Sequence, residues 1–590
     1  MTLIAGIFSR NNQPLTDSAC AGLRQTISRN PAEAVQIFRD QRSCFAKVDI
    51  GAFRDLGFFQ DASGALSLLA GEPLLSNRDI SSNRLQDLTA IHEQALKGNW
   101  SGLREADGTF CMVHYQPQTG TLSLVADKVG VRPLYYWLDD ELVVFASALR
   151  ILEELSFVPK RMDLRAVTEV VALGTPLAGR TPYAGIFLLR PAEIVQITNE
   201  GTSRSSYWRW DEIKTESDSE PTRLATVYDA FQSAIKRRNG NDKATAAYLS
   251  GGLDSRCIVA ALCHNGVRVR TVNFARPGTQ DYHFGNDFAE KIGSVHEAIP
   301  KEKGDNIPDY SSLMAKVLGG SRVLGGSSYG QWPAERPQVA WSGESGSGLL
   351  GAVGLPESIV ALMRAGQVDS AVAEYLQLGQ RNVPLKLLRP EILESVRAVI
   401  KQGISEGLNE WQAEDPARNF YLFLMHTDQR RNLMRHFENI DLHRLEFQMP
   451  FFDGGFLTSV IATPLDWCLK HRFYIKWLSL LPTPVTSVPW QAYPGHEPCP
   501  LPVPAELAYQ WDDSYRAEED ASQKQKVIEQ ASELLRSVDF PDQILSRRNL
   551  RLVKWIHSIG WRDYRYAIEA AQTYHLYARK CGGEFVLSSR

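Results

Sequence analysis

The hexapeptide Ser250-Gly251-Gly252-Leu253-Asp254-Ser255 does most to narrow what this chain can fold into. It lies between a short strand-like run, Ala244–Leu249, and a helical pattern, Arg256–His264. A strand that turns into a helix through two adjacent glycines leaves backbone N–H groups facing inward, a concavity that binds anions. The positive N-terminal end of the helix strengthens that field. Ser250 and Ser255 bring hydroxyl donors, and Asp254 is the residue type that holds Mg2+ against phosphate oxygens. The same residues also suit a plain strand-to-helix turn, with glycine supplying geometry and Ser and Asp capping the helix.

The chain around this loop changes grain. Up to about residue 200 it reads as strand-rich, with short apolar or alternating runs at Ile4–Phe8, Gly108–Tyr115, Thr121–Ala126, Leu142–Ala146 and Ala192–Thr198. Helical patterns intervene at Asp17–Arg29 and Asn83–Lys97. Asp211–Thr222, rich in Asp, Glu, Ser and Thr, reads as a linker. Beyond it, helix Leu224–Arg238, strand Ala244–Leu249, helix Arg256–His264, strand Val267–Phe274 and helix Phe284–Ile292 alternate, which predicts a parallel α/β sheet. From Ala517 the tail is largely helical, with breaks near Pro541 and Gly560.

Composition removes several classes of function. With 64 Lys+Arg against 68 Asp+Glu, the net charge of −4 gives no global attraction to nucleic acid or to an anionic membrane. The eight cysteines include no C-x-x-C pair, so neither a structural zinc site nor a thioredoxin-like motif is indicated. The first ten residues have no basic segment and too short an apolar run for a signal peptide. No stretch of about 18 uncharged apolar residues is present to span a bilayer. The expected compartment is the cytoplasm, with no nucleic-acid or membrane partner.

The hexapeptide matches the Ser-Gly-Gly-X-Asp-Ser pyrophosphate-binding loop of the PP-loop ATP pyrophosphatases. The following strand, Thr271–Phe274, with Arg276–Asp281 and Ala289–Glu297, resembles the same region of asparagine synthetase. Ser342-Gly343-Glu344 is similar to that family's second active-site segment, and Glu446 with Pro450-Phe451-Phe452-Asp453 to its E-x-R-x-P-F-L-D stretch, with Gln448 in place of the Arg. At the other end, Ala5-Gly6-Ile7-Phe8 resembles the Cys-Gly-Ile-Phe start of class II glutamine amidotransferases. Asp127–Tyr136 and Phe145-Ala146-Ser147 are similar to further stretches of that domain. The resemblance implies an α/β chain: an N-terminal αββα amidotransferase-like domain (1–210), a PP-loop parallel-sheet synthetase domain (223–500) and a helical C-terminal extension (501–590).

Two departures from the family pattern bear on function. Ala5 stands where the glutaminase nucleophile belongs, and no nearby Cys replaces it, so this domain is not expected to release ammonia from glutamine. Where the family has S-G-E-G-S-D-E, this chain has S-G-E-S-G-S-G, with Ser347 at the Asp position and Gly348 at the Glu. A hydroxyl is a weaker, neutral magnesium ligand.

Relatives without the terminal Cys resemble β-lactam synthetases or the macrolactam cyclases of lasso-peptide biosynthesis. Glu344 departs from the β-lactam pattern, whereas Arg256 and the helical C-terminus look more like the cyclases. The resemblance therefore implies an enzyme that uses ATP and Mg2+ to adenylate an Asp or Glu side chain of a precursor (core) peptide. The peptide's N-terminal amine then closes a macrolactam, and a leader peptidase and a leader-binding protein are the partners such an enzyme works with. Carried over residue by residue, Leu249, Ser250, Gly251, Gly252, Leu253, Asp254, Ser255, Phe274, Ser342 and Gly343 would bind the nucleotide, and Asp254 the metal. Glu344 and Lys476 would be catalytic. Leu249 and Phe274 equally suit ordinary core, Lys476 a solvated helix lysine and Glu344 a helix-start acid. Open alternatives are an ammonia-dependent asparagine-synthetase-like ligase, a β-lactam-synthetase-like cyclase, and a non-catalytic peptide-binding scaffold.

Weaker motifs compete with this reading. Gly326–Gly330 fits G-x-S-x-G, but Pro333 and Pro337 oppose the helix a hydrolase elbow needs. Gly346–Gly351 fits G-x-G-x-x-G, but Ala361–Leu378 reads as helix where a dinucleotide site wants a strand and an acid. His436 and His443 flank Glu438 without a third close ligand. Arg547–Lys554 is a local basic run, read as a solvated helix face rather than an RNA contact.

Overall fold

The computed structural model describes residues 2–77, 82–299, 336, 338–379, 383–509 and 512–587. The chain forms two compact units. The first comprises Met1–Leu155, Leu189–Pro356 and Leu424–Gln510, and the second Ser156–Leu188, Glu357–Phe423 and Trp511–Arg590.

In the first unit, the strand-rich region makes two antiparallel sheets. One runs Tyr135–Leu138, Leu142–Ala146, Thr2–Ser9, Ser43–Asp49, Val35–Arg39 in spatial order. The other runs Thr202–Ser206, Glu193–Ile197, Thr121–Ala126, Phe110–Gln116, Leu66–Gly71, Phe58–Gln60. Their facing sides bury Ile4, Phe8, Phe45 and Phe145 against Leu68, Val113, Leu124 and Val195, one apolar layer that holds the sheets together. Helix Arg84–Ala95 covers the outer face of the second sheet, setting Leu88 and Ile91 on Leu69, Phe110 and Met112. Helix Asp17–Thr26 packs on the first sheet. The result is the αββα sandwich of an amidotransferase domain.

Helix Glu220–Asn239 follows, started by the Ser219 side chain accepting from the Thr222 N–H. A second sheet system then forms from five parallel strands in the order Val295–Ala298, Arg268–Asn273, Ala244–Tyr248, Val339–Trp341, Glu446–Gln448. The chain starts at the central strand, Ala244–Tyr248, adds two strands on one side and then crosses to the other. That reversal creates a switch point between Ala244–Tyr248 and Val339–Trp341. Parallel sheets bind ligands at the carboxyl ends of strands beside such a point. The central strand, Ala-Thr-Ala-Ala-Tyr, is buried on both faces, as a parallel strand covered by helices must be.

The second unit is mainly helical. Ala361–Leu378, read as one helix, is two, Glu357–Arg364 and Val368–Leu378, because Gly366 turns left-handed at φ 72° between them. The tail forms helices Asp513–Arg536, Arg547–Ser558 and Arg565–Lys580. No helix among the described residues is long and apolar enough to cross a membrane.

Candidate active site

The Ser250–Ser255 loop leaves the carboxyl end of Ala244–Tyr248 at the switch point and enters helix Asp254–His264. The loop is held by its own hydroxyls. The Ser250 N–H donates to Ser255 Oγ at 3.0 Å, the two Oγ atoms are 3.1 Å apart, and the Gly252 N–H donates to Ser250 Oγ at 3.2 Å. The Gly251 N–H donates to Asp281 Oδ1 at 2.6 Å. Beneath the loop Arg256 is fully buried. Its guanidinium donates to the carbonyls of Gly252 (2.9 Å), Val488 (2.9 Å) and Pro489 (2.9 Å), tying the loop to a distant segment. Burial lowers the Arg256 pKa to about 10, still charged at neutral pH. Arg256 thus secures the loop from behind.

The second segment, Ser342–Gly348, leaves the neighbouring strand and lies against the loop. A Cβ at Gly343 would stand 2.6 Å from the Ser255 backbone nitrogen, and one at Gly346 2.7 Å from Asp254 Cγ, so only glycine permits this approach. Ser345 adopts φ 65° and its Oγ donates to the Gln429 carbonyl at 2.9 Å. Gly348, where the family carries Glu, faces the Gln429 side chain, whose Oε1 would lie 2.0 Å from a Cβ there. Gln429 fills the room an acid would need.

Asp254 is the meeting point. Its Oδ1 accepts from Ser347 Oγ at 2.7 Å and from the Tyr474 hydroxyl at 2.7 Å, while Oδ2 accepts from the Ser347 N–H at 2.9 Å. Burial outweighs these bonds and the Asp254 carboxyl is pushed up to about 6, with nearby Glu344 adding to the rise. This donor set does not make the two-carboxylate magnesium site the family resemblance implies. Ser347, at the position of the second carboxylate, is neutral, and Asp254 already accepts three hydrogen bonds. Among the described residues no group of three or more His, Cys, Asp or Glu could hold a metal ion.

The structure brings Leu249, Ser250–Ser255, Ser342 and Gly343 to the switch point, with Ser342 donating its N–H to the Gln448 carbonyl at 3.0 Å. Phe274 ends the neighbouring strand, its ring 6.0 Å from that of Tyr248. Glu344 is half-buried, close enough to act electrostatically on both Asp254 and Tyr493. Lys476 is not brought to the loop. It is 55% exposed and pairs with Glu220 at 2.7 Å. Helix Arg472–Leu478 instead turns Tyr474 to Asp254, and a residue two further on lies about 200° round the helix. Tyr474 was not foreseen, because no local pattern marks which helix face meets the loop.

The remaining candidates find structural roles. Asp453 caps helix Gly454–Ile461 and takes Arg238 at 2.5 Å, and Glu446 pairs with Arg132 at 2.5 Å. His436 is buried and stacks on Phe447 at 4.5 Å. The side chain of His443 and the whole Gly326–Gly330 motif lie outside the described residues. Gly346–Gly351 wraps the short helix Gly346–Leu350 beside Asp254, and Arg547–Lys554 opens helix Arg547–Ser558 in the second unit. Ala5 is fully buried in its strand. Burial pushes the Cys44 and Cys111 thiols up to about 12, which leaves both protonated and unreactive.

A glycine-rich strand-to-helix loop at the switch point of a parallel sheet, preceded by an αββα sandwich, is the two-domain arrangement that the sequence resemblance implies. Residues 89–208 match the glutamine amidotransferase domain family and residues 226–474 the asparagine synthase family. Over these two regions the chain carries domains similar to those of the asparagine synthetase-like superfamily. It is similar to asparagine synthetase (glutamine-hydrolyzing) 3 of Bacillus subtilis, with 29% identity over 158 residues, 26% of this chain and 25% of that one. It is also similar to the putative asparagine synthetase (glutamine-hydrolyzing) 2 of Methanocaldococcus jannaschii, with 24% identity over 27% of this chain and 32% of that one. For asparagine synthetase (glutamine-hydrolyzing) 1 of B. subtilis the identity is 20% over 46% of this chain and 43% of that one. The matches thus span a quarter to under half of these relatives' lengths.

Proposed function

We propose that the chain is an ATP-dependent, AMP-forming carbon–nitrogen ligase that closes a macrolactam in a peptide, as lasso-peptide cyclases do. A side-chain carboxylate of the core peptide attacks the α-phosphorus of ATP, pyrophosphate leaves, and the peptide's own N-terminal amine displaces AMP. The observation that carries the ligase class is the Ser250–Ser255 loop at the switch point, with Arg256 and the Ser342–Gly348 segment fixing its shape. Ala5 favours an intramolecular amine over glutamine-derived ammonia, because it puts a methyl group where the glutaminase thiol belongs, and burial keeps the Cys44 and Cys111 thiols protonated. An amine held in the same molecule reaches a very high effective concentration, so the enzyme needs only to position it. A leader peptidase and a leader-binding protein would supply the linear substrate.

A second reading, a peptide-binding scaffold without turnover, is favoured by Asp254 being engaged by Ser347 and Tyr474, and by Lys476 pairing with Glu220. One experiment separates the two. A linear, leader-free peptide with a free α-amine and an internal Asp or Glu is incubated with the protein, ATP and magnesium, and peptide mass and nucleotides are followed together. Loss of one water with matching AMP, absent in Asp254→Ala, is the cyclase outcome. AMP that depends instead on aspartate and ammonium points to an asparagine-synthetase-like ligase. Peptide binding with no AMP from any acyl substrate leaves the scaffold.

A further inference from the structure

Amide formation from an acyl-adenylate has a proton to dispose of, since the attacking nitrogen carries one more than the amide keeps. Around the loop most polar groups are already committed. Asp254 accepts three hydrogen bonds, Arg256 is spent on carbonyls and Lys476 on Glu220. One cluster, joined to Asp254 through Tyr474, is different. His471, 2% exposed, stacks on Tyr493 at 5.6 Å, meets Tyr474 at 5.5 Å and has the ring of His496 at 4.7 Å. Tyr474 donates to Asp254, and Tyr493 lies within the field of both Asp254 and Glu344, so the cluster borders the reacting region.

Three features mark it as more than packing. Lys470 and His471 both adopt left-handed backbone, φ 55° and 65°, a strained conformation for two consecutive bulky residues. The Glu497 N–H donates to the Lys470 carbonyl at 3.0 Å and pins that conformation. Second, buried His471 Nε2 has no hydrogen-bond partner, and its ring is admitted only because residue 351 is glycine: a Cβ there would lie 2.5 Å from Nε2. Third, His496 Nδ1 faces the Pro494 carbonyl at 3.1 Å. A carbonyl only accepts, so Nδ1 carries the hydrogen and Nε2 is left as a lone pair.

We infer that His496, backed by His471, is the base that receives the proton of the incoming amine. This rests on the ligase reading above. The amine nitrogen attacks the acyl carbon, the C–N bond forms, and the C–O bond to AMP breaks with its electron pair leaving on the phosphate. The nitrogen's proton passes to His496 Nε2 and from there to water. Glu344 then serves to orient the amine. Burial lowers the pKa of each imidazole and so favours its neutral form, His471 to about 3, with His496 acting on His471 and Lys470 on His496.

The test separates the two half-reactions with the linear peptide of the preceding experiment. ATP–pyrophosphate exchange reads adenylation, and AMP release with peptide mass reads amide closure. In His496→Gln, exchange is expected to stay within about threefold of the parent while closure falls about 100-fold or more, the usual size of a general-base contribution. The acid limb of the closure rate against pH is expected to disappear. His471→Gln is expected to shift that limb, with exchange again retained, and retained exchange shows that the variants are folded. Equal loss of exchange and closure, or an unchanged acid limb in His496→Gln, overturns the assignment. Absence of exchange in the unsubstituted protein instead overturns the ligase reading, and the assignment with it.

Discussion

At Asp254, burial works against three hydrogen bonds and the carboxyl settles at about 6, above its ordinary range. The consequence for stability has a definite sign. A carboxyl whose folded pKa lies above its unfolded value contributes stability that is fully present below about pH 4 and is lost as the pH rises through about 6. Relative to Asp254→Asn, the parent protein should therefore lose about 1–3 kcal/mol between pH 4 and pH 7, the lower part of that range reflecting partial solvent access. Urea unfolding of both proteins at several pH values measures it. A constant difference across the range would show that the carboxylate is compensated in the folded state. An anion placed in the loop would meet the same charge, so Ser347 and Tyr474 act as donors that ease a carboxylate standing beside phosphates.

The Ser342–Gly348 segment makes the corresponding case at the level of an element. Its glycines look alike in sequence but not in their surroundings. At Gly343 the obstacles are backbone atoms of Asp254 and Ser255, which cannot withdraw, whereas at Gly348 they are the end of the Gln429 side chain, which can. Gly343→Ala is expected to cost about 1–3 kcal/mol and to displace the loop, while Gly348→Ala, in a helical turn, should be near neutral. Denaturant midpoints compare the two, and equal costs would mean that the segment moves as a rigid body. The same contrast shows what could be read in advance. The Ser250–Ser255 loop and its flanking strand and helix were legible because their signal is local: adjacent glycines between a short strand-like run and a helical one. Strands such as Thr121–Ala126 and Leu142–Ala146 matched to the residue for the same reason. Strands Val35–Arg39 and Phe58–Gln60 were not singled out, being short and mostly half-exposed edges with little alternation. Tyr474, His471, Tyr493 and His496 were invisible because their meeting depends on packing across a turn with two left-handed residues, for which no glycine gives notice. Lys476 failed to reach the loop on the same ground: its sequence neighbourhood fits, but its helix face does not.

At the scale of the molecule, the question is what the sandwich, with Ala5 buried in its first strand, does for the parallel sheet. Within the first unit the sandwich and the parallel sheet share buried charge. Glu446, in the edge strand of the parallel sheet, takes Arg132 at 2.5 Å and the Thr2 N–H at 2.9 Å, both from the sandwich. Arg132 also lies over the Phe437 ring at 4.4 Å, so the pair is enclosed on several sides. Burial would raise the Glu446 carboxyl, but Arg132 beside it prevails and holds it below the usual carboxylate range. Its stabilisation is therefore present above the unfolded pKa and lost as pH falls through the folded one, the opposite sense to Asp254. Glu446→Ala strands a buried guanidinium and an N–H, and is expected to cost about 3–5 kcal/mol. Replacing both partners, Arg132→Met with Glu446→Leu, should recover much of that, since a well-packed apolar pair often matches a buried ion pair. Hydrogen exchange supplies the structural readout. In Glu446→Ala, amides of Thr2–Ser9 and of Glu446–Gln448 should lose protection together, because one side chain secures both strands. If Thr2–Ser9 kept full protection, the sandwich would be an independent body and its persistence would need a reason other than support of the synthetase sheet. Joint loss would instead make the sandwich part of the foundation on which Gln448, and through its carbonyl Ser342, is set beside the loop.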